Sequence, residues 1–313
     1  MTRRRELPAI GKIFIYLAAV FFAGALVAPP VFWLGQALEA AGITDWLAKF
    51  PFHRVLSRCL QVSALILLFP ALRWIGLRRP SDLYLRRSPM AMADLSVGLV
   101  SSVVLVAVLA VVCLVAGWLE WRPGVAWSGL GRIVVTAVFV SGIEEIVFRG
   151  VVLGLCLWSL PKTGAIACTS ALFALVHFIK PPKTDIAPDA VHWWSGVAEA
   201  MRFADGIPAG WLLFFGVASL FVAGWILGSA AFATRSLWLP IGLHAGWVFA
   251  QQTSNLFLQP AAASAVGLPW LGPNLVSGAV PTGLLPLGAL LITGLLVKLY
   301  LRHVFRPVGP RTL

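Results

Sequence analysis

Charged side chains are scarce in this sequence of 313 residues. Asp, Glu, Lys and Arg together make up 12% of the chain, whereas hydrophobic residues make up 59%. A soluble domain usually carries about twice that charged fraction. The mean hydropathy of +0.90 points the same way. The composition therefore excludes an ordinary soluble domain and indicates a polytopic membrane protein.

Several familiar site patterns are also missing. The sequence has neither a Gly-x-Ser-x-Gly elbow nor a His-Glu-x-x-His helix motif, so it offers no common serine-hydrolase or zinc-protease signature. Its four cysteines all fall in apolar segments without metal-type spacing, and we expect small buried thiols rather than a disulfide scaffold. They are Cys59, Cys113, Cys156 and Cys168.

Long apolar runs are abundant, and they do not alternate with polar residues as barrel strands do. Because a spanning helix needs roughly 20 apolar residues, the chain has room for about eight. We therefore predict an all-α, polytopic membrane helical bundle that forms a single membrane domain over residues 1–313. The approximate spans are 10–36, 55–77, 92–118, 129–156, 162–180, 210–233, 237–258 and 281–303.

The net charge of +12 reflects basic residues in alternate loops and at both ends of the chain. Basic loops are held on the cytoplasmic side of membranes, which predicts that both termini are cytoplasmic. We expect the lipid bilayer, and not nucleic acid, as the partner of this charge. An integral, multi-pass protein of a prokaryotic cytoplasmic membrane fits. The residues concerned are Arg3, Arg4, Arg5, Arg78, Arg79, Arg86, Arg87, Lys162, Arg235, Arg302, Arg306 and Arg311.

Two adjacent acids, Glu144 and Glu145, lie within the fourth apolar span and are followed by Arg149. A charged side chain at bilayer depth costs at least a few kcal/mol, so such residues usually serve a task. On a helix, Glu145 and Arg149 are one turn apart and can pair, while Glu144 points about 100° away. This division suits one structural acid and one working acid. The alternative is an ion cluster that only holds helices together.

Two histidines lie in later apolar spans. His177 follows Phe173 at helical spacing, and a hairpin turning near Pro161 would bring it to the depth of Glu144. His244 shares a helix face with Gln251, beside small residues that permit close helix packing. Either histidine, taken alone, could be a packing residue.

In this order, Glu-Glu-x-x-x-Arg, Phe-x-x-x-His and a later helical histidine resemble the CPBP family, which includes type II CAAX prenyl proteases and bacteriocin-processing or immunity proteins. The matching core is about 129–255. The resemblance implies an intramembrane endopeptidase of the glutamic type. Glu144 would activate water, His177 would orient it and His244 would donate to the oxyanion, with Glu145 and Arg149 in support.

One position departs from the family pattern. The family commonly has Asn four residues after the third-motif histidine, as a second oxyanion donor, and here that residue is Val248. Gln251 lies on the same face but about 10 Å further along the helix. Glu144, His177 and His244 could also form a three-ligand zinc site. The resemblance favours a mechanism without a metal or other cofactor.

Two other classes of function remain open. A non-catalytic immunity or binding protein on the same scaffold is compatible with Val248. A proton-coupled transporter would also retain buried Glu and His, although the polar residues form no ladder and no internal repeat is visible. For a protease, we expect a membrane-anchored or lipidated peptide or protein as the substrate.

Overall fold

The computed structural model describes residues 9–77, 79–85, 88–125, 127–179, 183–184, 186–262, 267–272 and 282–304. Within these ranges the chain is mostly helical. Its main elements are α1 (Ala9–Ala40), α2 (Phe52–Ile75), α3 (Ala91–Val115), β1 (Leu119–Trp121), α4 (Gly129–Glu145), α5 (Leu153–Ser159), α6 (Lys162–Val176), α7 (Ser195–Met201), α8 (Gly210–Thr234), α9 (Trp238–Phe257), β2 (Leu258–Pro260) and α10 (Leu284–Val304). A π-helix (Ile146–Val152) joins α4 to α5, and short 3-10 turns occupy Pro80–Leu83, Pro188–Ala190 and Arg202–Gly206.

Each of the eight predicted spans contains a helix, which fits an all-α membrane bundle. Five helices are long and apolar enough to cross a membrane: Gly11–Ala40, Phe52–Ile75, Ala91–Val115, Gly210–Thr234 and Leu284–Val304. The number of eight crossings and the cytoplasmic position of both termini stay predictions. Many of the basic residues behind that orientation lie outside the described residues, namely Arg3, Arg4, Arg5, Arg78, Arg86, Arg87, Arg306 and Arg311.

The helices that fall short of this criterion include those in which the polar site was predicted. The fourth apolar segment is divided by the π-helix into α4 and α5. With 15 residues, α6 is about 22 Å long, against a hydrocarbon core of about 30 Å. The prediction that this helix extends to residue 180 is wrong, because α6 ends at Val176. Two prolines follow in the sequence, and helices usually end before proline.

The chain divides into two compact units. The first contains Met1–Arg78 and Leu175–Pro208, and the second contains Arg79–Ala174 and Ala209–Leu313. The single membrane domain and the core at 129–255 stay predictions. Of the four cysteines, Cys59, Cys113 and Cys156 are buried, Cys168 is partly buried, and all are free thiols as expected.

In the first unit, α1 packs against α2 and the short α7. Helix α1 runs through Pro29, which has no N–H to offer to the carbonyl of Ala25 one turn earlier. Gly196 of α7 lies directly on that carbonyl, so closely that a Cβ on residue 196 would overlap it. The proline thus leaves a backbone oxygen exposed on α1, and a glycine lets α7 approach it.

In the second unit, α3 and α9 run parallel with their backbones in contact. A Cβ on Gly98 would lie 2.6 Å from the Leu239 carbonyl oxygen, and one on Gly246 would lie 2.7 Å from that of Leu99. Small residues at one-turn spacing permit this approach, as is usual between membrane helices. The contact fixes the position of α9, which carries His244.

Helix α4 lies antiparallel beside α9. Gly129, at its start, is in contact with Leu256 at the end of α9. Glu145, at its end, contacts His244 near the start of α9. Strands β1 and β2 form a two-stranded antiparallel ribbon with Trp121 opposite Leu258. The two acids are therefore placed at the end of α9 where that helix begins.

Replacing Gly242 by Ala tests the packing of α9. A Cβ at this position would meet the carbonyl of Leu95 on α3, which is backbone and cannot rotate away. We expect the substitution to lower the free energy of unfolding by about 2 kcal/mol, the usual effect of overpacking. Thermal unfolding of the detergent-solubilised protein measures it.

The matched control is Gly288→Ala in α10, where a Cβ would have nothing within 4 Å. We expect this variant to be at least as stable as the wild type, since Ala favours helix over Gly. Equal melting temperatures for the two variants would contradict the close packing of α3 and α9.

Candidate active site

Glu144 and Glu145 are the last two residues of α4, and Arg149 lies in the π-helix that follows. Arg149 Nη1 donates to Glu145 Oε1 at 2.7 Å, and neither side chain is exposed. The pair occurs where the spacing predicted it. Single π turns within α-helices are often found at functional sites. Here the π-helix follows directly upon both acids.

Arg149 is held from two further directions. Its Nη2 lies 3.4 Å from the carbonyl oxygen of Gly224 on α8. Its guanidinium carbon lies 4.4 Å from the centre of the Phe173 ring on α6. A desolvated cation over an aromatic face gains about 2 kcal/mol. The buried cation is therefore stabilised by a carboxylate, a carbonyl and a ring from three different helices.

His244 shares the acceptor of Arg149. Its Nδ1 lies 2.8 Å from Glu145 Oε1, the same oxygen that accepts from the arginine. Because an ionised carboxylate only accepts hydrogen bonds, Nδ1 carries the proton. The bond fixes the orientation of the imidazole, and it leaves Nε2 as the nitrogen that faces Glu144.

Glu144 differs from its neighbour in exposure and in surroundings. Its side chain is 27% exposed, against 0% for Glu145. Its Oε2 lies 3.8 Å from His244 Nε2, beyond the range of a direct hydrogen bond. One acid is thus committed to Arg149 and His244, while the other faces the imidazole across a short gap. This is the division of labour that the sequence spacing suggested.

Phe173 is in contact with several members of this cluster. Its ring lies edge-to-face with Phe148, with centroids 5.1 Å apart, and edge-to-face with His244 at 5.9 Å. It also carries the Arg149 guanidinium on its face. Phe173 therefore positions the arginine and one side of the imidazole at the same time.

His177 lies one residue beyond the end of α6, in a turn, and is partly buried. The turn of the predicted hairpin is present, since α5 ends at Ser159 and α6 begins at Lys162. His177 belongs to the first compact unit, whereas the acids and His244 belong to the second. Its convergence with Glu144 stays a prediction.

Gln251 does not reach the gap between Glu144 and His244. Helix α9 is regular from Trp238 to Phe257, so Gln251 lies two turns, or about 10 Å, beyond His244. Its side chain is buried. Val248, partly buried, occupies the position one turn after the histidine.

Within the described ranges, no group of three or more His, Cys, Asp or Glu side chains is placed to hold a metal ion. The absence of a cofactor stays a prediction. Sequence reasoning paired Glu145 with Arg149 but missed its bond to His244. These two residues are 99 positions apart, so no local pattern could reveal the contact. The Gly224 carbonyl was missed for the same reason.

Residues 125–250 match the model of a family described as "Rce1-like: Type II CAAX prenyl endopeptidase Rce1-like". The match includes both acids, Arg149, His177 and His244. The chain thus carries the core of a CPBP family intramembrane protease, and the family expected from the motifs is confirmed. No curated protein matches the chain, and neither does any solved structure.

Arg149→Met tests the buried ion pair. The substitution leaves the Glu145 carboxylate buried without its cation, and breaking such pairs typically costs about 3–5 kcal/mol. We expect a large fall in thermal stability. Lys49→Met is the control, because Lys49 and Asp45 have the same i,i+4 spacing but side chains 64% and 58% exposed. Exposed pairs contribute little. A melting temperature equally unaffected in both variants would contradict the structural role of Arg149.

Proposed function

We propose that this protein is an intramembrane endopeptidase of the glutamic type, in which Glu144 activates the water that attacks the peptide bond. The observation that carries the proposal is the 3.8 Å separation of Glu144 Oε2 from His244 Nε2. Two hydrogen bonds of about 2.8 Å can join both atoms to one water molecule across such a gap. The family match supports the protease class, and the geometry supports the choice of base.

The proposed reaction uses Glu144 twice. The carboxylate accepts a proton from water, and the resulting hydroxide adds to the carbonyl carbon of the scissile bond. The protonated Glu144 then gives its proton to the leaving nitrogen as the C–N bond breaks. The partial exposure of Glu144 is compatible with this exchange, whereas Glu145 is enclosed by Arg149 and His244.

His244 would stabilise the oxyanion through Nε2. Since Nδ1 already donates to Glu145, an Nε2–H donor makes the ring an imidazolium. Two carboxylates, one guanidinium and one imidazolium then sum to zero charge, which suits a site at bilayer depth. A preorganised donor at the developing oxyanion can be worth a few kcal/mol. The role of His177, to orient the water, rests on the family resemblance.

The substrate that we propose is a membrane-anchored or lipidated peptide or protein. The matched family is described by its action on prenylated CAAX chains, and the apolar helices place the present chain in the same medium. A prokaryotic cytoplasmic membrane is the compartment that we propose for it.

Glu144→Gln tests the mechanism. The amide keeps the shape of the side chain but cannot accept the proton of water, so we expect cleavage to fall at least a thousandfold while the fold persists. The measurement is single-turnover cleavage of membrane-reconstituted peptides ending in a prenylated cysteine and three residues. Glu120→Gln, at an exposed site on β1, is the control. Full activity of Glu144→Gln, or loss of wild-type activity on adding a chelator, would contradict the mechanism.

Val248→Asn tests the missing oxyanion donor. Val248 follows His244 by one turn on the same face of α9, so an amide there would reach towards the same oxygen. One such donor is worth roughly 10²-fold in other hydrolases. We expect kcat to rise by about tenfold or more, with little change in KM. A fall in kcat would show that another group already fills this role.

A non-catalytic immunity or binding protein is the second candidate, and Val248 is the observation that favours it. In that case the phenotype conferred by the gene would survive Glu144→Gln. Loss of the phenotype together with loss of cleavage would reject this candidate.

A further inference from the structure

Helix α9 carries a polar stripe that begins at His244 and leads away from Glu144. At 100° per residue, Gln251 and Asn255 lie within about 20° of the direction of His244. The helix is regular along this whole length. The opposite face of α9 is occupied by α3, which packs on Gly242 and Gly246. The stripe is therefore a separate surface that α3 does not cover.

The stripe is polar in an apolar setting. Gln251 is 6% exposed, and the Oδ1 atom of Asn255 is buried without a hydrogen-bond partner among the residues described. An unsatisfied polar atom away from water costs about 1–3 kcal/mol. Val248 and Asn255 are only partly buried, so the stripe can be approached along its length. These features indicate a surface that receives polar groups from another molecule.

An extended substrate supplies such groups. A chain must leave the helical state around the bond to be cleaved, and its peptide groups then have no partners within the hydrocarbon. Gln251 lies about 10 Å and Asn255 about 16 Å from His244 along α9. At about 3.3 Å per residue, these distances correspond to three and five residues of an extended strand. Residues separated by two point to the same side of a strand.

We propose that Gln251 and Asn255 bind the backbone of an extended substrate, at peptide groups about three and five residues from the cleaved bond. This inference rests on the proposed function and adds to it a sequence-independent mode of recognition. The amides satisfy backbone groups, which are the same in every peptide. Side chains of the substrate are then read elsewhere, and Gln251 acts in binding, not as an oxyanion donor.

An amide-to-ester scan of the substrate tests the proposal. The probe is a fluorogenic peptide with a prenylated cysteine fourth from its C terminus, reconstituted in liposomes. Mass spectrometry locates the cleaved bond, and each peptide group within five residues of it is replaced in turn by an ester, which lacks the N–H. We expect the ester about three residues away to lower kcat/KM roughly tenfold for the wild type, the effect of one hydrogen bond.

The variants identify the partner of each peptide group. Gln251→Met is expected to lose the penalty three residues away, and Asn255→Leu the penalty five residues away. The ratio of ester to amide cleavage does not depend on how much of a variant is folded. Thr253→Val is the control, because Thr253 lies on the opposite face of α9 and should leave both penalties unchanged.

The outcomes separate this inference from the proposed function. If wild-type protein cleaves the peptides but Gln251→Met and Asn255→Leu keep the full ester penalties, the backbone-binding stripe is wrong and the protease remains. A wild type with no ester penalty at these positions leads to the same conclusion. If the wild type cleaves none of the peptides, the proposed function fails, and the inference fails with it.

Discussion

A single buried oxygen, Glu145 Oε1, is the acceptor on which the site depends. It accepts from Arg149 on the π-helix and from His244 on α9, at 2.7 and 2.8 Å. Because neither Glu145 nor Arg149 is exposed, water cannot replace a lost partner. The orientation of the imidazole, and with it the approach of Nε2 to Glu144, follows from this one shared acceptor.

The surrounding helices are arranged so that this cluster stays in place. Helix α9 is held by backbone contact with α3 at Gly98 and Gly246, where any larger side chain would separate the two. Arg149 is covered by the Phe173 ring and approached by the Gly224 carbonyl. Charged groups at bilayer depth are tolerated when they pair with one another in the protein interior. The same enclosure strengthens every electrostatic contact that a reaction at Glu144 would use.

The two adjacent glutamates show how local chemistry becomes functional asymmetry. Both belong to the same helix end and have the same intrinsic acidity. Their environments differ because successive helical residues point about 100° apart. One direction leads to Arg149 and His244, and the other leads to a partly exposed position at the edge of the cluster. A structural acid and an acid suited to catalysis can thus stand side by side without any difference in residue type.

The sequence by itself determined the membrane environment, the helical segments, the turn near Pro161 and the pairing of Glu145 with Arg149, because each depends on composition or on residues within a few positions of one another. It did not determine where α6 ends, how many helices cross, or that Glu145 also binds His244. Only the tertiary structure decided that contact, since it depends on α9 lying antiparallel to α4. That arrangement is set by packing between helices far apart in the chain, and no short sequence pattern encodes it.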